Sequence, residues 1–491
     1  MEKKSKYAML IGLGAVAASL PVRAALYRPE KIKTEPLPDE NVDLDRFRRN
    51  LSDAIRIRTV AADHAEDTDW STFDAFHDFL RERYPLIHEK LELKTFARGS
   101  LMYRWAGSDA SLDPIALLSH QDVVPVSEGT EGDWEHPAFD GVDDGEFIWG
   151  RGALDMKNHL IAVMESVEDL LAEGFVPERD VYICLGHNEE VMNSDSSGAV
   201  TMCRYFKEQG IHLDCIIDEG GAILPVEIGG VIHKNLAGIG VAEKGYADFE
   251  IAVNDKGGHS SQSPNHTAIG KMADVIKDIE NHQFKAKLSP MMKELFDKIG
   301  RNCTFPVRMV TCNLKLLEPL LIKVMTYIPP AASMIRTTTG ITMASGSPAP
   351  NVLPQRATIN VNFRIFPGQT VEDVERHLRK VIRNKKAEIN VRSGWKNPSK
   401  ISPADSRCFR ALEEICTGMN PDNIVAPYLV MGGTDACHYE PVCENIYRYS
   451  PFLVSTSLLL TTHGTNERIP VASMKDGVAF FKRYVRKLSA K

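Results

Sequence analysis

Nine cysteines are scattered from Cys184 to Cys443, and no two of them form a CxxC pair. That excludes a zinc-finger pattern, and the odd total without regular spacing excludes a disulfide framework. Cys184 and Cys215 fall in apolar, strand-like runs and read as small core residues. Positive charge is also in short supply: 58 Lys and Arg stand against 66 Asp and Glu, a net charge of -8. Phosphate backbones are held by a basic footprint, so nucleic acid is excluded as the main partner. No internal repeat and no extended low-complexity segment is present.

The remaining composition, 43% hydrophobic and 25% charged, is that of a soluble globular protein. At 491 residues the chain exceeds what one compact core holds, and two domains are predicted. Its start differs in character. Lys3, Lys4 and Lys6 precede an apolar run from Tyr7 to Leu20, and Val22-Arg23-Ala24 follows. Basic, apolar, then small is the order of a signal peptide. The run is short for a relaxed membrane span, and Arg23 suits a cleavage site poorly, so an uncleaved signal anchor is the alternative. Residues 1–28 are therefore predicted to export or tether the protein, with the catalytic part outside the cytosol. A cytoplasmic protein is expected if the leader is not a signal. Membrane contact is predicted through this segment alone, and residues 29–43, rich in Pro, Lys and Glu, read as a linker.

Apolar periodicity divides the rest. Leu44, Phe47, Leu51, Ala54 and Ile55 form a helical stripe, as do Met156, Leu160, Val163, Met164, Val167, Leu170 and Leu171. Ile115–Leu118, Val181–Leu185 and Cys215–Ile217 read as buried strands, alternating with helices as in a parallel sheet. From Tyr246 the period changes to two: Phe249, Ile251 and Val253, then Ile359, Val361, Phe363 and Ile365. Alternation predicts half-exposed antiparallel strands. The expected architecture is thus α/β: a mostly parallel-sheet catalytic domain, 44–243 and 397–491, interrupted by a smaller α+β domain, 244–396. A Pro-punctuated helical insert is predicted around 288–328 within the latter.

The chemistry gathers where the strands should end, which is where open α/β sheets place it. In Leu117-Leu118-Ser119-His120-Gln121-Asp122, His120 and Asp122 stand two apart and point the same way on an extended backbone. A carboxylate so placed can hold the histidine's tautomer while the other ring nitrogen binds a metal. Asp155 follows Gly150-Arg151-Gly152 at the start of a helix, where a carboxylate is stabilised, whether as ligand or as cap. Glu189-Glu190 follows the strand Val181–Leu185, Asp218 ends Cys215–Ile217, and His463 lies in a distant loop. Each alone has a structural reading as loop or surface residue. Together, imidazole and carboxylate donors of this kind suit two divalent ions, zinc by preference. Two ions roughly 3.5–4 Å apart, bridged by a carboxylate, are a common hydrolase arrangement.

These motifs, in this order from about Leu44 to the C-terminus, resemble the M20 metallopeptidases. The likeness is strongest to their Gly-X carboxypeptidase and N-acyl amino acid hydrolase branch, on His120-Gln121-Asp122-Val123-Val124-Pro125-Val126, Trp134-Glu135-His136-Pro137 and the apolar leader. The resemblance implies that His120 and Asp218 hold one zinc, Glu190 and His463 the other, and that Asp155 bridges them; cobalt or manganese could stand in. It implies that Asp122 orients His120 and that Glu189 is the general base. It makes the domain 244–396 a lid and dimerisation domain. In it, His259 of Gly257-Gly258-His259-Ser260-Ser261 would reach the active site of a second copy in a homodimer and stabilise the oxyanion. Asn351 and Arg364 in the lid, and the loop opening at Gly432, would hold substrate. That substrate would be a small peptide or N-acyl amino acid cleaved at an amide bond beside a free carboxylate. A fatty-acyl amino acid hydrolase or synthase is the alternative within enzymes, with the insert's Leu316, Leu317, Leu320, Leu321, Ile322, Val324 and Met325 lining an apolar channel or forming lid core. An inactive receptor homologue is the alternative outside them. The chain departs from the family at Asn188, at Met192-Asn193-Ser194-Asp195 and at Cys437, where the motif commonly ends in arginine.

Overall fold

The computed structural model describes residues 20–29, 37–191 and 197–491. Most of the predicted leader and linker, and Met192-Asn193-Ser194-Asp195, lie outside the described residues. Among those described, no helix is long and apolar enough to cross a membrane.

A nine-stranded sheet organises the larger body. Its centre is Ile115–His120, flanked in parallel by Val181–Gly186 and Cys215–Asp218, and all three are buried along their whole length. Burial on both faces is why they read as unbroken apolar runs. Ile446–Arg448 continues the parallel order beside Cys215–Asp218, and Asn423–Val430 runs parallel to Ile232–Glu243. Antiparallel Glu92–Phe96 and Ser100–Trp105 close one margin. The register sets His120 opposite Gly186, so both strands finish at one level.

Helix Lys157–Ala172 lies in the core, with Leu160, Val163, Val167 and Leu170 fully enclosed. Each such side chain contributes about 1.5–3 kcal/mol on leaving water. Helices Leu44–Arg56 and Val471–Leu488 share that core. The former begins at Asp43, whose side chain accepts from Arg46 N at 2.9 Å and caps the first turn.

The smaller unit is a four-stranded antiparallel sheet in the order Thr338–Ser345, Arg356–Ile365, Gly245–Asn254, Glu388–Val391. Helices Ala268–Asn281 and Val371–Val381 cover one face, over Phe249, Ile251, Ile359, Val361 and Phe363. The alternating period therefore marks a sheet with one face packed. The predicted insert forms helices Pro290–Asn302, Phe305–Thr311, Leu314–Thr326 and Pro329–Ser333. Met292, Leu295 and Met325 pack with Ala426 of the large sheet, so the insert leans on the catalytic body. Leu316, Leu320 and Val324 are not core residues: they are 57%, 60% and 49% exposed. Their spacing of four sets them along the outer side of one helix.

Arg448 and Glu243 form a fully buried ion pair behind the sheet's active end, and Glu243 also accepts from Thr434 N and Oγ1. Removing one partner of such a pair leaves a charge stranded in low dielectric. Arg448→Met is expected to lower stability by about 3–5 kcal/mol, read as a fall in the urea midpoint.

Candidate metal centre

His120 is the last residue of its strand and its ring is enclosed. Nδ1 lies 2.9 Å from the backbone carbonyl of Asp122 and 3.5 Å from its carboxylate. That fixes the ring so that Nε2 faces outward, 3.2 Å from Asp155 Oδ1 and 3.1 Å from Glu219 Oε1. The Asp122 carboxylate itself is engaged elsewhere. Its two oxygens accept from Glu189 N at 3.1 Å and Glu190 N at 3.0 Å, so one carboxylate ties the histidine's strand to the glutamate pair.

Asp155 is positioned from far away in sequence. Buried Glu467 accepts from Gly152 N, Leu154 N and Asp155 N and pairs with Arg151, cinching the turn ahead of helix Lys157–Ala172. Gly152, at φ +88°, takes the left-handed backbone that this turn requires. Four residues before Glu467, His463 presents Nε2 to Asp155 Oδ2 and to Glu190 Oε1, both at 3.1 Å. Asp155 thus stands between the two histidines. Gly186 is needed at its strand end because a Cβ there would lie 2.3 Å from Asp435 Oδ2.

Asp218, the last residue of its strand, is followed directly by Glu219, and the two carboxylates go different ways. Asp218 turns back into the protein, accepting from Glu219 N at 2.8 Å and Ala436 N at 2.9 Å. Glu219, not Asp218, faces His120. Among the described residues two overlapping groups result, His120 with Asp155 and Glu190, and His120 with Glu189 and Glu219, each with donor atoms within 4.8 Å of one another.

The electrostatics are those of a site short of positive charge. Burial pushes the Glu189 and Glu219 carboxyls well above the usual range, and neighbouring carboxylates, Glu219 for the one and Asp155 for the other, add to it. Burial also raises Glu190. Hydrogen bonds to Asp155 and then Glu190 lift His463 to about 10. His120 is raised despite its burial, through Glu219, Asp122 and Asp155. Four inward-facing carboxylates and two imidazoles crowded together are costly unless cations join them. Oxygen and imidazole donors in this number fit divalent metal.

The remaining predicted residues lie elsewhere. His259 is exposed on a two-stranded ribbon of the smaller unit, Gly258–His259 paired with Val352–Leu353, and its Nδ1 accepts from Ser261 N at 3.2 Å. Asn351 is on the same ribbon, its carbonyl accepting from Ser260 N. Arg364 stacks its guanidinium over the Tyr246 ring, 4.8 Å from the centroid. Gly432 opens its loop at an exposed position with free space around it. Among the described residues, none of these four touches the donors above. Glu219 directly follows Asp218 and Glu467 lies four residues after His463, yet neither has a local signal separating it from its neighbours.

The sequence description of peptidase family M20/M25/M40 matches residues 116–487. A probable carboxypeptidase S-like protein of Dictyostelium discoideum is 35% identical over 441 residues, 89% of this chain and 84% of that one. An N-fatty-acyl-amino acid synthase/hydrolase of Mus musculus is 32% identical over 442 residues, 89% of this chain and 86% of that one. The crystal structure of an M20 family metallo-carboxypeptidase from Sulfolobus solfataricus superposes with a TM-score of 0.66 at 17% identity, covering 90% of this chain and 99% of that one. With its donors converging at the strand ends and the family match spanning both parts of the catalytic body, the chain belongs to peptidase family M20/M25/M40 and is an enzyme of the metallopeptidase type.

Proposed function

We propose that this protein hydrolyses a peptide or N-acyl amide bond beside a free carboxylate, using two divalent ions, zinc by preference. The observation that carries this is the pair of donor groups sharing His120, one of which also contains Glu189. His120 and Glu219 would hold one ion, Glu190 and His463 the other, and Asp155, facing both histidines, would bridge. Bound there, the ions supply Lewis acidity to the scissile carbonyl. The protein's own groups do the proton work. Glu189, on a backbone held by Asp122, takes a proton from the attacking water. It returns that proton to the leaving nitrogen as the C–N bond breaks, giving a carboxylic acid and an amine. His259 and Asn351 share one exposed ribbon, and a second copy of the chain would bring that ribbon to the centre as oxyanion and substrate contacts. The apolar leader would export or tether this unit.

A fatty-acyl amide is the second reading, supported by the similarity to the N-fatty-acyl-amino acid synthase/hydrolase. The test is metal content per chain together with hydrolysis of dipeptides and of N-long-chain-acyl amino acids. About two ions per chain and turnover on one panel are expected, and the preferred panel names the acyl group. Metal without turnover on either would sink the reading. Sedimentation of the same preparation checks for the dimer.

A further inference from the structure

Cys437 stands at the end of Gly432-Gly433-Thr434-Asp435-Ala436-Cys437, where the family resemblance puts arginine, so this loop has given up a positive charge. The structure returns one from another part of the chain. Lys396 Nζ donates to Cys437 Sγ at 3.4 Å. Its backbone is fixed where the lid joins the body, Lys396 N donating to Tyr246 O at 2.9 Å and Tyr246 N to Lys396 O at 2.8 Å. The side chain then runs along the loop so closely that a Cβ on Gly433 would lie 2.8 Å from Nζ.

This ammonium is unspent. Among the described residues, no carboxylate stands within ion-pairing distance of Nζ, and Glu243, the nearby acid, is engaged by Arg448 and Thr434. The thiol does not neutralise it, since burial and then Glu243 push Cys437 up to about 12. The loop along which the lysine lies also carries Asp435, whose Oδ2 would be 2.3 Å from a Cβ on Gly186 at the strand end beside His120, so the lysine sits near the rim of the metal centre. A cation with no ion-pairing carboxylate, held along the loop from Gly432 to Cys437, lacks a negatively charged partner of its own. A substrate carboxylate supplies one, and charge-assisted hydrogen bonds of this kind are the strong ones.

We propose that Lys396 Nζ receives the substrate's free carboxylate, replacing from the lid junction the charge that position 437 no longer carries. The inference rests on the amidohydrolase reading above. A lysine offers a point charge and three rotatable donors, where an arginine would offer a rigid fork. Selectivity here should therefore depend on charge more than on planar geometry.

The test compares glycyl-leucine, N-acetyl-leucine and N-lauroyl-leucine with the corresponding leucinamides, for wild type, Lys396→Met, Arg364→Met and the Lys396→Met/Cys437→Arg double variant. In Lys396→Met, kcat/KM for the preferred carboxylate is expected to fall about 10–100-fold, mostly through KM, with the slow amide unchanged. The double variant should recover part of the carboxylate preference. Metal content and the urea midpoint of each variant report folding separately. An equal loss on carboxylate and amide, or a preference untouched in Lys396→Met and abolished in Arg364→Met, overturns the assignment. Wild type turning over none of the six compounds rejects the amidohydrolase reading and the lysine's role with it.

Discussion

Glu189→Gln is expected to lower kcat by about a thousandfold, within the range of roughly 10²–10⁴ for loss of a positioned acid–base group, while metal content and fold stay unchanged. The substitution keeps the shape and the backbone N–H that donates to Asp122 at 3.1 Å. It removes only the capacity to take up a proton. Glu189 is singled out by what holds it. Its amide and that of Glu190 share the Asp122 carboxylate, yet His463 faces Glu190 at 3.1 Å, whereas among the described residues no imidazole pairs with Glu189. Burial and the Glu219 charge raise its proton affinity, as suits a group that must carry a proton briefly. The outcome that sinks this role is specific: because Glu189 also belongs to one of the two donor groups, loss of an ion in the variant would make it a ligand instead.

The parts of this arrangement legible in the sequence were those written as local pattern. Three unbroken apolar runs became three fully buried parallel strands, and His120, Glu189-Glu190 and Asp218-Glu219 follow at or just beyond their ends. Alternating Phe249, Ile251 and Val253 became a sheet with one covered face. What stayed hidden depends on residues brought together across long separations. Glu467 lies more than three hundred positions from the amides it gathers, and nothing around it distinguishes a clamp from a loop acid. Lys396 reaches Cys437 from 41 positions away, a contact no periodicity encodes. In the insert, apolar residues at helical spacing were ambiguous because burial depends on what packs opposite; Met325 found the large sheet and Leu320 found solvent.

The choice between Asp218 and Glu219 is of the same kind, and mutation separates them. On an extended backbone successive side chains point to opposite faces, so a doublet at a strand end sends one carboxylate to the site and the other behind it. Which one goes is decided by Ala436, more than two hundred residues on, whose amide takes up Asp218 Oδ2 while Glu219 N takes Oδ1. With both oxygens so engaged, Asp218 is occupied as a brace, and Glu219 is free to meet His120 at 3.1 Å. Glu219→Gln is therefore expected to release one of two ions after dialysis and to cut turnover by about a thousandfold or more, since it removes a charged donor from a centre that needs negative charge. Asp218→Asn should keep both ions. It turns one amide donor toward another and is expected to cost roughly 10–100-fold in activity or metal affinity, the usual penalty for losing an outer hydrogen-bond partner of a metal site. Elemental analysis beside a rate measurement distinguishes them. Retention of both ions in Glu219→Gln with their loss in Asp218→Asn would return the ligand role to Asp218 and require this strand end to rotate when metal binds.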